Sequence, residues 1–484
     1  MMKKTVTAVC LMFMLAGSLA AQAISDHKNL AIEKAGAFSQ EINRCSVTLW
    51  DLSETALREE QSADYLQQIL QEHGFSIETG VAGMPTAFVG TYGSGEPVIG
   101  ILAEYDALPG VGNAPVPYRQ EREDGVSAGH GCGHNLFAAG SVYGAIAATQ
   151  VLEEQGLDGT VKIFGTPAEE TLVGKVYMAK AGVFDDLDAV VHWHPGTSTS
   201  VQNTSSLAMN NFEVEFFGQA AHGAIDPWNG RSALDAAELM IHGVNQMREH
   251  VRPSARIHYV IQNGGEVPNV VPEYTKLWFF VRDDSRELAE SNYERVLKIA
   301  EASALATETE HEVYLTTGVH EMLLNRTLIE AMDKNMRAIG PPKFTEEEQE
   351  FARAMQTNLG KEPAGFSTEI EDLADELLPP SGGSTDVAEV SHLVPTVGFG
   401  IASAPVDVPW HSWATAASHN TSGGKKSAVI AAKVIAMSSV ELILNKDLLQ
   451  KAWEEFENRT GGDPYTSPIP LDQDPTLPGG VSGN

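Results

Sequence analysis

One stretch constrains the chain more than any other: Gly129-His130-Gly131-Cys132-Gly133-His134-Asn135. In an extended segment, residues two apart face the same side, so His130, Cys132 and His134 share a face. The glycines between them let backbone crowd close to an ion. Imidazole nitrogen and thiolate sulfur are ligands for zinc and similar divalent metals. Alone, the stretch also fits a Gly-rich turn with incidental histidines.

The neighbouring strands favour the metal. Residues 97–104 are a nearly continuous apolar run, the pattern of a buried strand, and lead into Glu104-Tyr105-Asp106-Ala107-Leu108-Pro109-Gly110. Residues 160–165 lead into Thr166-Pro167-Ala168-Glu169-Glu170, and residues 189–191 into His192-Trp193-His194-Pro195. The carboxyl ends of buried strands are where open α/β sheets bind ligands. A single acidic turn or histidine is ordinarily structural, but here three strands deliver Asp106, Glu169/Glu170 and His192/His194 beside Cys132 and His134. Adjacent carboxylates point in different directions, so one of Glu169 and Glu170 can bind metal while the other handles protons.

Composition excludes other classes. The 484 residues carry 65 acidic against 32 basic side chains, a net charge of -33, which argues against nucleic acid or an anionic membrane as partner. Residues 1–23 read as a signal peptide: Lys3 and Lys4, a short apolar run from 6 to 15, and Ala21-Gln22-Ala23 as a cleavage site. The expected destination is the periplasm or the exterior. No second apolar stretch of membrane-spanning length is expected. Of three cysteines, Cys10 leaves with the signal; Cys45 and Cys132 remain, and Cys132 is expected to hold metal rather than to pair.

The chain is long enough for more than one domain. Helical spacing covers 28–73, with Ser53-Glu54 as a helix start, and 136–152 reads as a buried helix. Residues 207–318 follow a β-α-β-β-α-β order, the ferredoxin-like pattern, and form an inserted α+β domain. Residues 324–375 read as largely helical, with the acidic run at 346–348 as a solvated face. A strand over 396–401, a loop holding Trp410-His411-Ser412-Trp413, and helices over 425–444 and 447–459 follow. The expected organisation is an α/β catalytic domain with a mixed central sheet flanked by helices (24–206 and 319–460), the insert (207–318), and a Pro/Gly-rich tail (461–484).

Together with Gly218-Gln219-Ala220-Ala221-His222-Gly223, the run from Gly264 to Pro272, Gly383-Ser384-Thr385-Asp386 and His411-Ser412-Trp413, these motifs resemble the di-metal amidohydrolase and carboxypeptidase family. That family includes aminoacylases, auxin-conjugate hydrolases and glutamate carboxypeptidase. Asn135 and the helical segment around 344–352 look like the p-aminobenzoyl-glutamate hydrolase branch of that family. The resemblance implies two divalent ions, zinc or manganese, held by Cys132, His134, Glu170, His194 and His411. It implies Glu169 as catalytic base and Asp106 as the aspartate that orients a ligand, with Glu104 where relatives carry a ligand histidine. His130 and His192 match no ligand position. His222 and Asn269 on the insert would hold the substrate carbonyl or carboxylate, often in the partner's site.

The implied activity is hydrolysis of the amide bond of N-acyl or N-aroyl amino acids. A broader dipeptidase or deacylase, and a catalytically silent metal-binding partner subunit, are the alternatives. Arg231, Arg256 and Arg282 are candidates for the substrate carboxylate. The inserted domain is expected to dimerise, as a homodimer or with a paralogous subunit.

Overall fold

The structure is a computed structural model and describes residues 22–478. The expected leader lies outside the described residues except for residues 22 and 23, which begin a helix running to 37.

Buried apolar runs make the central sheet. Its strands are β1 (Ser76–Thr79), β2 (Phe88–Ser94), β3 (Val98–Ala103), β4 (Gly159–Gly165), β5 (Ala189–Gly196), β6 (Ser200–Val201) and, far down the chain, β11 (Thr396–Ala402). Their spatial order is β1-β2-β4-β3-β5-β11-β6. The middle four, β4, β3, β5 and β11, are mutually parallel, and the outer pairings are antiparallel, so the sheet is mixed. Parallel strands need both faces covered, which is why β3, β4 and β11 are apolar almost throughout.

Two core helices, His134–Gln155 and Ser422–Leu444, pack on each other and on this sheet. They approach closely because small residues face each other: a Cβ at Gly144 would lie 2.8 Å from Ile435. Both helices are long and apolar enough to cross a bilayer by length and composition, so the expectation of no such stretch fails. Both are instead mostly buried in the protein core.

A second sheet uses β7 (Ala208–Phe217), β8 (Arg256–Asn263), β9 (Tyr274–Asp283) and β10 (Glu310–Val319), in the antiparallel order β10-β7-β9-β8. Helices Ala233–Met247 and Arg286–Thr307 close a separate core of Phe212, Phe216, Met240, Val244, Leu277, Phe279 and Val296. Ser232 and Ser285 cap these helices by accepting the N–H of Asp235 and Leu288, each worth about 1 kcal/mol.

Four local expectations change. Ser53, with φ 42°, ends the helix Ser39–Leu52, but the next helix begins at Glu60 and runs to Glu72 rather than starting at the expected Ser53-Glu54. Glu54 does act as a cap, but from a distance, accepting the N–H of Ser62 at 2.8 Å. Between 324 and 375 only Arg326–Ile339 and Glu346–Asn358 are helical, because Gly360, Pro363 and Gly365 break the pattern. The acidic run is not only a solvated face: Glu348 is buried, closes a capping box with Thr345 and pairs with Lys426 at 2.6 Å. β5 runs five residues beyond the expected 189–191, so His192 and His194 lie within the strand.

Candidate metal centre and active site

The exit of β3 and the glycine-rich stretch are stapled together by two backbone bonds between Leu108 and Gly129. Gly133 then turns at φ 86°, and a Cβ there would come within 2.8 Å of Pro195. Only glycine fits, and it brings Cys132 and the first helical residue, His134, against β5.

Two of the histidines, His134 and His194, are aimed by their second nitrogens. Nδ1 of His134 donates to Asp106, 2.9 Å from Oδ1, which leaves Nε2 without a hydrogen-bond partner, 3.2 Å from Glu104 Oε2 and 3.7 Å from Glu169 Oε2. Nδ1 of His194 donates to the carbonyl of Pro195 at 2.7 Å, so Nε2 faces Cys132 Sγ at 3.3 Å. His411 Nε2 lies 3.4 Å from the same sulfur and 3.4 Å from Glu170 Oε2. His411 is left-handed, with φ 53°, a strained conformation of the kind found at functional sites. A carboxylate or carbonyl behind a ligating imidazole is the usual support of a metal site.

The ligand atoms form groups of metal-binding size: Cys132/His134/His194, Cys132/Glu170/His411, and Glu104/His134/Glu169. All five expected ligands therefore converge, with Cys132 common to two groups. Glu169 stands in neither Cys132 group. His130 instead meets the carbonyl of Leu49 at 3.0 Å, and His192 lines the cavity wall outside all three groups.

The electrostatics suit a cation. Burial, then the charge of Glu104, pushes Glu169 well above the usual carboxylate range. Burial pushes Glu170 up to about 8, the Cys132 thiol up, and His194 down to about 4. Burial also works against ionised Asp106, but the charge and hydrogen bond of His134 hold it below its ordinary value. Four buried carboxylates, Glu104, Asp106, Glu169 and Glu170, thus share one small volume. A divalent ion would reverse this balance and hold a coordinated thiol as thiolate.

Sequence reasoning missed the cation beneath the site. Lys175, fully buried on the helix Gly174–Lys180, places Nζ 2.9 Å from Glu104 Oε1 and 2.6 Å from Asp386 Oδ1. Its signal was a lone lysine five residues after Glu170 in an apolar segment. Trp410 was also missed; its indole N–H donates to Cys132 Sγ at 3.4 Å.

The site opens into a cavity of about 840 Å3. Arg282 and Phe280 of β9 line it, and Arg282 has no carboxylate partner among the described residues. Arg231 is committed to Glu308, and Arg256 to backbone carbonyls at 253–255. His222 and Asn269 do not line the cavity: they lie on neighbouring exposed loops, where Gly223 donates its N–H to the carbonyl of Asn269 at 2.9 Å. Cys45 and Cys132 are both free thiols.

Comparison with known proteins places this geometry. The B component of the p-aminobenzoyl-glutamate hydrolase of Escherichia coli is 36% identical over 453 residues, covering 88% of this chain and 94% of the relative. The mouse Xaa-Arg dipeptidase is 27% identical, covering 89% of this chain and 92% of the relative. A Bacillus subtilis structure described as a dinuclear metal-binding peptidase has the same fold, with a TM-score of 0.54 at 19% identity, covering 84% of this chain and 99% of that one. Residues 100–436 match peptidase family M20/M25/M40, and the chain belongs to that family.

Proposed function

We propose that the protein is a metal-dependent hydrolase that cleaves the amide bond of N-acyl or N-aroyl amino acids. The observation that carries this is the convergence of Cys132, His134, Glu170, His194 and His411 at one cavity, with Glu169 beside them but outside both Cys132 groups. The residues fit two divalent ions: His134 Nε2 and Glu170 Oε1 are buried without hydrogen-bond partners, and the shared sulfur joins the two groups. Cys and His favour zinc, and the carboxylates also suit manganese. Bound there, two such ions would activate a water and polarise the scissile amide carbonyl.

The chain's own residues do the rest. Glu169, which stands outside both Cys132 groups, takes the proton of the attacking water and returns it to the leaving amine. Glu170 beside it is left to bind. Asp106 fixes the orientation of His134 with one oxygen and the backbone of Glu170 with the other, at 2.9 Å each. Arg282, without a carboxylate partner among the described residues, pairs with the carboxylate of the substrate amino acid.

The E. coli relative's name points to p-aminobenzoyl-glutamate and the mouse relative's to Xaa-Arg dipeptides. Because the second likeness also covers most of the chain, a broader dipeptidase is the alternative substrate reading. A silent partner subunit is disfavoured by the intact Glu169-Glu170 pair. We also infer a homodimer, or a pair with a paralogous subunit, in which His222 and Asn269 serve the neighbour's cavity. The N-terminal leader supports export to the periplasm or beyond. Measuring amine released from acyl-glutamates, acyl-aromatic amino acids and dipeptides separates the substrate readings, and no release from any of them contradicts a hydrolase. Light scattering on the purified chain tests the dimer.

A further inference from the structure

We propose that Glu59 is a positioning residue for the base: its carboxylate holds the strained turn from which Glu169 projects. This rests on the reading of Glu169 as the base.

The turn is strained at both ends. Ala168 (φ 57°, ψ 36°) and Leu172 (φ 57°, ψ 44°) are left-handed and bracket the single helical turn Glu169–Thr171. A side chain with a Cβ adopts that conformation at a cost and keeps it only where the surroundings over-determine it. The turn also doubles back tightly, since a Cβ at Gly174 would lie 1.9 Å from the carbonyl oxygen of Pro167.

Three buried carboxylates from distant parts of the chain hold its backbone. Glu59 Oε1 accepts the N–H of Ala168 at 3.0 Å, Asp106 Oδ2 that of Glu170 at 2.9 Å, and Asp386 Oδ2 that of Lys175 at 2.8 Å. Asp106 and Asp386 also serve His134 and the Lys175 ammonium. Glu59 has no such second partner among the described residues. Its other oxygen accepts from the hydroxyl of Thr86 at 3.2 Å, the backbone N–H groups of Leu57 and Glu59 also hydrogen-bond the carboxylate, and it is fully buried. A carboxylate sealed from water with only neutral donors is costly to keep; burial, and Asp106 after it, push Glu59 up to about 8. What it secures is the strained residue immediately before the base. Without that acceptor, Ala168 relaxes out of the left-handed region and carries Glu169 with it. Misplacing a reacting group by about 1 Å costs on the order of a hundredfold in rate.

The test uses the metal-loaded full chain and the acyl-amino acid it hydrolyses fastest. Glu59→Met keeps the volume and removes the acceptor: kcat should fall at least about tenfold, with KM within about twofold and bound metal unchanged. Glu59→Gln retains an oxygen for Ala168 and should stay within about threefold of wild type. Adding Ala168→Gly to Glu59→Met should recover much of the loss, because glycine is left-handed without strain. Wild-type kcat in Glu59→Met overturns the proposal, as does equal loss in Glu59→Met and Glu59→Gln. If Glu59→Met fails to fold, Glu59→Asp decides: it withdraws the acceptor by one methylene, so lowered kcat at constant KM supports the role and unchanged kcat overturns it. Glu169→Gln is the control. Activity there defeats the base reading itself, whereas an inactive Glu169→Gln beside a fully active Glu59→Met defeats only the role of Glu59.

Discussion

The ammonium of Lys175 stands 2.9 Å from Oε1 of Glu104 with both side chains sealed from solvent. Its other contact is Asp386 at 2.6 Å, so one lysine is shared by two buried carboxylates under the metal site. Burial works against its charge, but Asp386 and Glu104 more than offset this and hold its pKa up. Replacing Lys175 by Met removes the ammonium from both acids, which costs about 3–5 kcal/mol for a broken buried pair. Urea denaturation should show that loss, and a variant as stable as wild type would mean that the pair is not charged.

The pH dependence of the metal-free protein has a definite sign. Glu59 and Glu170 are pushed up to about 8 when folded, while unfolded glutamates ionise near 4.5. Between these values the folded state holds protons that the unfolded state has released, so stability falls as pH rises. Above about 6.5 histidines that are neutral when folded, such as His419, no longer oppose this. From pH 6.5 to 8 the chelator-treated protein should lose roughly 1–3 kcal/mol per pH unit. Divalent metal should flatten the slope by holding Glu170 as carboxylate. A stability that rises across this window contradicts the assignment.

Cys132 touches both His194 and His411, one in each of the two groups that share its sulfur. Cys132→Ala should therefore lower occupancy of both ions, not one. Elemental analysis after dialysis reads this directly, and two retained ions per chain would remove the sulfur from the centre.

Arg282 lines the cavity with no carboxylate beside it among the described residues. Arg282→Met should raise KM about 10–100-fold for substrates with a free carboxylate, the worth of a charged hydrogen bond. It should change little for the same substrates with that carboxylate amidated. Equal effects on both series would return Arg282 to a structural role.

Much of this centre is legible in the sequence because most of its residues sit in a local signal. Cys132 and His134 alternate with glycines, Glu169 and Glu170 follow one buried strand, and His194 ends another. The sheet and the ferredoxin-like insert follow from apolar periodicity, which survives tertiary packing. The unread parts depend on contacts between remote residues. Glu59 reaches Ala168 across 109 positions and Lys175 reaches Asp386 across 211, and no local pattern reports a buried side chain's partner. The helix start read at Ser53-Glu54 falls too early for a related reason: Glu54 caps the next helix from eight residues away, so that helix begins only at Glu60.

The central claim is that Glu169 moves the proton while Cys132, His134, Glu170, His194 and His411 hold the metal. Glu169→Gln keeps the shape and every ligand while removing the base. Measured with metal content on the same sample, it should retain two ions per chain and lose turnover by about 10²–10⁴-fold. Turnover within a few fold of wild type at full metal content would contradict the account.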